Sequence, residues 1–308
     1  MDEMRTRYIL IKVILNEAIS PAIFSENGEP ENIKIIRANS DNETLTVDVK
    51  INKISGWQGS DCVAVINGAL IDDINAITKV NNYVSFVQTD ISNIEVYAGY
   101  DIDSNGYPPL VYSGAIYMAT PDFNNENRSR PLTIHSLSGW EQSGVLAPSA
   151  SIKEPMKLVD LFKQIAKNMP NYSLTTEGAD DQVVQGVVYL GSAIQQLQQA
   201  CADYGFALKL DDNILRISPL GQPMVRQILT ISSNDNLLGY PIPQNVGVSI
   251  RVRFNPAIQF GQIINLDTSV EAYKGQWYVN GMSHHLTNRG RDWVSVLQLN
   301  RFNILEGG

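Results

Sequence analysis

The sequence predicts a mainly β protein with a small α+β part set between two strand-rich regions. Three observations carry this reading. Apolar and polar residues alternate with a period of two along Thr44 to Ile51 and again from Ile250 to Phe254. Helical spacing is densest between residues 151 and 220. Short β-rich runs are separated by turn residues such as Asn105-Gly106.

Taken in chain order, the run from Arg7 to Leu15, with Tyr8, Ile9, Leu10, Ile11, Val13 and Ile14, reads as an opening strand. Ser25 to Pro30 reads as a loop, and a second strand spans Ile33 to Arg37. Between Thr44 and Ile51, Leu45, Val47, Val49 and Ile51 share one face of a half-buried strand. Ile71, Ile74, Ile77 and Val80 recur three apart, which fits a short helix. The runs from Ile94 to Tyr100 and from Leu110 to Tyr117 flank Asp103-Ser104-Asn105-Gly106, where Asn-Gly supplies the positive φ angles of a chain reversal. Pro131 to Leu137 gives another strand. Ser143-Gly144 and Ala147-Pro148-Ser149 then read as a linker.

The middle region changes character. Glu154-Pro155 can open a helix with proline at its first position, followed by Leu158, Leu161, Phe162, Ile165 and Ala166 on one face and a stop at Pro170-Asn171. Ser192 and Gln195 form a capping-box pattern for a second helix, with Ile194, Leu197, Cys201 and Tyr204 on one face and Gly205 closing it. Phe206 to Leu210 and Leu215 to Ile217 make a hairpin around Asp211-Asp212-Asn213. After Pro241-Ile242-Pro243 strands resume: Ile250, Val252 and Phe254, then residues 263–266, an uneven pattern through Trp277, Val279, Met282 and Leu286, a turn at residues 288–292, and a last strand from Trp293 to Leu299. No internal repeat at a solenoid period and no low-complexity segment is present.

A chain of 308 residues suits two or three domains and can bury a sizeable core. Its composition, 44% hydrophobic and 18% charged, excludes a disordered protein. The formal charge of -9 argues against a surface that neutralises phosphates. An acidic surface can still face DNA if its task is to let the polymer slide, because like charges repel within a Debye length of about 8 Å. Cys62 and Cys201 lie far apart without zinc-ligand spacing and read as two buried apolar side chains. The N-terminal residues lack the apolar core of a signal peptide, and no apolar run approaches the ~18 residues of a membrane span.

Candidate chemistry is sparse. His284 and His285 are adjacent, and neighbours on a strand point to opposite faces, so they cannot chelate one ion together; one packed and one solvated imidazole is expected. His135 lies alone between Ile134 and Ser136. Asp72-Asp73, Asp180-Asp181 and Asp211-Asp212 could suggest a hydrolytic carboxylate pair, but sequence adjacency does not hold two carboxyls across a sugar. A helix start for the first pair and a hairpin tip for the last are common structural places for Asp. Asp101 to Gly106 resembles a calcium loop but lacks the later glutamate, since residue 112 is Tyr112. Serine-hydrolase, phosphate-loop and dinucleotide motifs are absent. Tyrosines outnumber phenylalanines 13 to 8, and Tyr97, Tyr100, Tyr107, Tyr112 and Tyr117 surround one hairpin, which suits an interface, sugar stacking or plain β propensity. No residue is assigned to catalysis, a cofactor or a metal.

The tail, with Phe254-Asn255-Pro256, Gly261-Gln262-Ile263-Ile264, Gly275-Gln276-Trp277-Tyr278-Val279, His284 and Asp292-Trp293, resembles the end of baseplate hub proteins of contractile-tailed bacteriophages, of the Mu-like and T-even types. Ile94 to Tyr100 followed by Val111 to Ile116 is similar to the exposed hairpin of those hubs, and the capped helix with Leu215 to Pro219 is similar to their middle domain. The resemblance implies a homotrimer in which each subunit contributes two tube-like antiparallel β-barrel domains flanking a helix-containing middle domain. The division would be residues 1–148, 149–220 and 221–308, the last with the option of strands or a helix from the middle region. It implies a non-enzymatic adaptor joining a hexameric tail tube or tube-initiator protein to a trimeric central spike. Wedge or sheath-side proteins would surround it, genomic DNA would pass through the lumen without specific binding, and assembly would take place in the host bacterial cytoplasm. Two other readings remain open from the residues: a peptidoglycan-degrading tail enzyme and a carbohydrate-binding host-recognition module.

Overall fold

The computed structural model describes residues 5–15, 32–41, 45–54, 59–79, 92–123, 130–139 and 145–301. The first region contains β1 (Tyr8–Ile14), β2 (Ile33–Asn39), β3 (Thr46–Ile54), β4 (Asp61–Asn67), α1 (Ile71–Lys79), β5 (Asn93–Gly99), β6 (Leu110–Pro121) and β7 (Leu132–Leu137). The middle region holds β8 (Ala150–Ile152), β9 (Met156–Lys157), α2 (Leu158–Ala166), β10 (Ser173–Thr176), β11 (Val183–Val184), β12 (Val187–Tyr189), α3 (Ala193–Tyr204), β13 (Phe206–Asp211) and β14 (Ile214–Pro219). The tail supplies β15 (Val225–Ser232), β16 (Ile242–Pro243), β17 (Val248–Arg253), β18 (Gln262–Asp267), β19 (Gly275–Thr287) and β20 (Trp293–Arg301). The expected loop at residues 25–30, the end of the first helix at Val80 and the first part of the linker at residues 143–144 lie outside the described residues.

The chain is mainly β, and its two strand-rich regions share one sheet. Thirteen strands join in the order β16-β17-β20-β19-β3-β4-β7-β6-β5-β1-β2, with β18 and β15 attached on the other side of the first half of β19. The link is β19, which pairs with β3 from Gly281↔Ile54 to Thr287↔Asp48. Among the described residues no strand pairing joins the two ends of this sheet, so neither of the barrels implied by the resemblance closes through a ladder. Pairing is not antiparallel throughout either, since β15 runs parallel to β18 and β10 parallel to β14.

The period-two expectation holds where it was sharpest. Val47, Val49 and Ile51 of β3 are fully buried, and the alternation continues one step further to place Lys53 on the same buried face. In β19 the inward set changes from Trp277 and Val279 to Met282, His284 and Leu286. The cause is a register shift between Val279 and Gly281, where an extra residue reverses which face each later side chain takes.

Three cores result. Strands β1 to β7 and α1 enclose the first, and the tail contributes Phe254, Leu286 and Trp293 to it. The middle region has its own core around Phe162, Leu197, Leu208 and Leu215, and the third lies among β15 and β17 to β20. In the middle unit α3 starts at a complete capping box between Ser192 and Gln195 and ends at Gly205, whose φ of 73° suits the left-handed closing turn. The first helix of that unit departs from expectation. It begins at Leu158 rather than at Pro155, because Met156 and Lys157 are drawn into pairing with Val184 and Val183 and the Leu158 amide donates to Gln182 O.

The turn between β19 and β20 seals the first unit where β2 and β3 are not paired. Asn288, nearly fully buried, accepts a bond from the Val47 amide at 2.8 Å through Oδ1 and donates from Nδ2 to Asn39 O at 2.8 Å and Leu45 O at 3.0 Å. Arg7 reaches the same turn, donating to Gly290 O at 2.9 Å, and stacks on Trp293. Removing one side chain here strands three backbone groups, the buried Val47 amide and two partly buried carbonyls. Asn288→Ala is therefore expected to cost about 2–4 kcal/mol in denaturant unfolding. Asn288→Asp should recover little of that, since it keeps the acceptor and loses both donors.

Candidate functional site

The three cores meet at the β13–β14 turn, and the groups that meet there are charged. The Lys53 ammonium lies 2.8 Å from Asp211 Oδ1 and 2.8 Å from Asp212 Oδ2. Asp212 also accepts from the Ser113 amide at 3.1 Å, and the Ser113 hydroxyl donates to Asn213 Oδ1 at 2.9 Å. Asp212 sits at φ 54°, the left-handed conformation that the two-residue turn demands and that Asp tolerates better than most residues. Lys209, with no exposed surface, donates to Ile54 O and lies 4.6 Å over the Phe260 ring. Arg216 approaches Asp211 Oδ2 at 3.8 Å and donates to Gln259 Oε1 at 3.3 Å. One hairpin of the middle unit thus touches both strand-rich regions, through Lys53, Ile54 and Ser113 on one side and Gln259 and Phe260 on the other.

Burial and pairing compete in this cluster. Burial alone would favour loss of the Lys53 proton, but the Asp212 and Asp211 carboxylates together outweigh it and hold the ammonium above its ordinary range. For Asp211, burial is likewise outweighed by Lys53, and its carboxyl stays below the usual carboxylate range. At Asp212 burial wins over the Lys53 attraction and the carboxyl is pushed up, helped by the Asp211 charge. Lys209 has no direct carboxylate contact, so burial, joined by the Lys53 charge, lowers its pKa to about 8. A cavity of about 200 Å³ lies beside the cluster, lined by Lys53, Asp211, Arg216, Gln259, Met282 and His284 among others.

The other candidates from sequence scatter. His284 and His285 do take opposite faces. His284 is buried, accepts or donates to Ser295 Oγ at 2.8 Å through Nδ1, stacks edge-on against Phe254 and has its pKa lowered to about 3 by burial and then by Lys53. His285 is half-buried with Nε2 2.9 Å from Asp48 Oδ2. His135 stands in β7 beside the exposed Tyr117. Asp72 and Asp73 occupy the first turn of α1, and Asp180 and Asp181 are exposed. Asp211 and Asp212 do lie at a hairpin turn, but a buried one occupied by lysine. In the loop at residues 101–106, Asp103 Oδ1 is engaged by the Asn105 and Tyr107 amides, and an open groove of about 690 Å³ runs past Tyr97, Asp103, Tyr107 and Leu110. The tyrosines share no single surface: Tyr112 is fully buried, Tyr97 meets Tyr107 edge-on at 5.2 Å and Tyr100 meets Trp293 at 5.8 Å. Cys62 and Cys201 are buried free thiols, both pushed up by burial, Cys201 to about 12. Among the described residues no group of three or more His, Cys, Asp or Glu is placed to hold a metal, and no helix is long and apolar enough to cross a membrane.

Sequence reasoning missed Lys53, Lys209 and Ser113. For Lys53 a signal existed, since it continues the inward series of Val47, Val49 and Ile51. A cation at an inward strand position requires a buried anion. Apolar side chains are also left exposed, in two groups among others. Tyr240, Ile242 and Val246 surround the edge strand β16, and Leu146, Val188 and Leu190 lie on the middle unit, where Leu146 bridges to Ser192.

Lys209 gives the site a pH signature. Its pKa of about 8 in the folded chain lies below the ordinary 10.5, so the folded state binds fewer protons than the unfolded state between those values. Stability from this group therefore rises with pH across that window and is lost again below it. In urea unfolding at pH 7, 8, 9 and 10, the native chain is expected to gain on the order of 1–3 kcal/mol relative to Lys209→Met as pH rises. A difference that stays flat with pH would contradict the assignment.

Comparison with known proteins now bears on the fold. Residues 33–298 match the family described as Baseplate hub gp41. A tail protein from Neisseria meningitidis MC58 superposes with a TM-score of 0.59 at 12% identity, over 95% of this chain and 96% of that one. The 43 kDa tail protein of prophage MuSo2 from Shewanella oneidensis gives 0.58 at 8%, over 94% and 96%. An Escherichia coli component of the type VI secretion system, described as structurally similar to T4 bacteriophage tail proteins gp27 and gp5, gives 0.54 at 7%, over 84% and 74%. No curated protein sequence matches the chain. The structural likenesses, at such identities, concern the fold alone. The family match, by contrast, runs through all three cores and the ionic junction between them, and the chain belongs to the Baseplate hub gp41 family.

Proposed function

We propose that this chain is the structural hub of a phage tail baseplate, a trimeric adaptor between a sixfold tail tube and a threefold central spike. The observation that carries the reading is membership of the baseplate hub family over residues 33–298. The fold supports it. The strand-rich parts hold two cores, the first completed by Phe254, Leu286 and Trp293 of the tail, which suits two tube-like units per subunit, residues 1–148 and 221–308 with that exchange, and residues 149–220 as an accessory unit. Three such subunits present six units to a hexameric tube. The sheet edges at β2 and β16 are where strands of neighbouring subunits would pair.

The role is assembly, not catalysis. Asp211 and Asp212 share one lysine, an arrangement that suits a structural role better than acid and base work across a sugar. The net charge of -9 per chain is tripled in a trimer and suits a lumen through which DNA slides without sticking. The protein so read is a virion tail component that meets a tube or tube-initiator protein above, a spike below and wedge or sheath-side proteins around it, after assembly in the host cytoplasm.

Native mass spectrometry of the chain, alone and mixed with its cognate spike protein, tests this reading. A trimer, formed alone or on adding spike, is expected. A strict monomer that binds neither spike nor tube protein would contradict the proposal.

A further inference from the structure

The middle unit is joined to the sheet in an unusual way for a body of its size. Its helices and strands pack chiefly on one another around a complete core, not on the strands of the large sheet. What reaches across is the β13–β14 hairpin, and it reaches with charges: Asp211 and Asp212 to Lys53, Asp212 and Asn213 to Ser113, Lys209 to Ile54 O, and Arg216 to Gln259. Leu210 adds an apolar contact, set closely against Gly139. The groups facing the hairpin carboxylates are Lys53 on β3, the uncharged Cys62 on β4 and Tyr112 on β6, and His284 on β19, with Lys209 and Arg216 on the hairpin itself.

We propose that the β13–β14 hairpin is an ionic latch, and that the middle unit can leave the sheet as an intact body when the latch opens. A buried ion pair contributes little net stability over an apolar contact but is costly to leave half-made. Such a joint separates as a whole once its charges are solvated, whereas an interdigitated apolar face would resist separation at every side chain. Opening exposes Lys53, Asp211, Asp212 and Lys209 together to water, along with the buried Leu210 that packs against Gly139. The inference concerns the isolated chain and stands apart from the assembly reading, so either can fail without the other.

Native-state hydrogen exchange of the unmodified protein in graded urea tests it first. The Ser113 amide, which donates to Asp212, is expected to exchange at least tenfold faster than the amides of Phe162 in α2 and Val49 in β3. Exchange of all three in one global event would overturn the proposal. Two variants then test the charge dependence. Lys53→Met, which leaves two buried carboxylates without their cation, should speed Ser113 exchange about a hundredfold while Phe162 stays protected. The variant K53M/K209M/D211N/D212N/R216M, uncharged at every ionic position of the hairpin and its partner, should restore slow exchange. A closed single variant, or an uncharged variant as open as the single one, would overturn the ionic account, and if either variant fails to fold, the urea series on the unmodified chain decides.

Discussion

Strand β19 has two edges and three partners, and the architecture follows from how it divides them. Along one edge it pairs with β20 from Trp277 to Leu286. The other edge is split, with Gly275 to Tyr278 bonded to β18 and Gly281 to Thr287 bonded to β3. The change of partner coincides with the register shift at residues 279–281. A strand that passes from one core to another must turn a different set of side chains inward in each, and one inserted residue achieves this. Gly281 fits that crossing, since a Cβ there would stand 3.0 Å from Gln298 Oε1.

Two consequences follow. The end of β19 carries Leu286 and the Asn288 turn into the first unit, so the tail completes a core that the N-terminal strands leave open. The same pairing brings His284 beside Lys53, near the place where the middle hairpin docks. The junction of the three cores is therefore built by the strand that joins two of them, with the carboxylates supplied by the third and their cation by β3. An acidic chain spends two of its carboxylates there on one lysine, and stability at this point depends on proton balance as much as on buried area.

Much of this was legible. The capping box at Ser192, the closing Gly205 and the alternating β3 all act through local geometry, and local geometry is written in neighbouring residues; β5 and β6 also pair as expected, but of Asn105-Gly106 only Gly106, at φ 77°, takes the left-handed angle. The β15 strand was not foreseen, because Val225 to Ser232 lacks clean alternation and its partner β18 runs parallel to it, so no short turn announces the pair. The start of α2 shifted because strand pairing with residues 183–184 overrode a local proline signal. The ionic junction was half visible. Asp211-Asp212 marked a turn, while Lys53, one step beyond the series that ended at Ile51, went unread, and only the long-range pairing of β19 with β3 and the docking of the hairpin bring them to 2.8 Å.

The proposed hub role, with strand edges left at both ends of the sheet among the described residues, requires that the molecule be completed by its own copies. Electron cryomicroscopy of the protein bound to its spike tests that most directly. A hollow threefold ring is predicted, with six tube-like units around an open lumen and neighbouring subunits meeting along the β2 and β16 edges. A compact particle without a lumen, or a ring whose subunits meet through other surfaces, would contradict it.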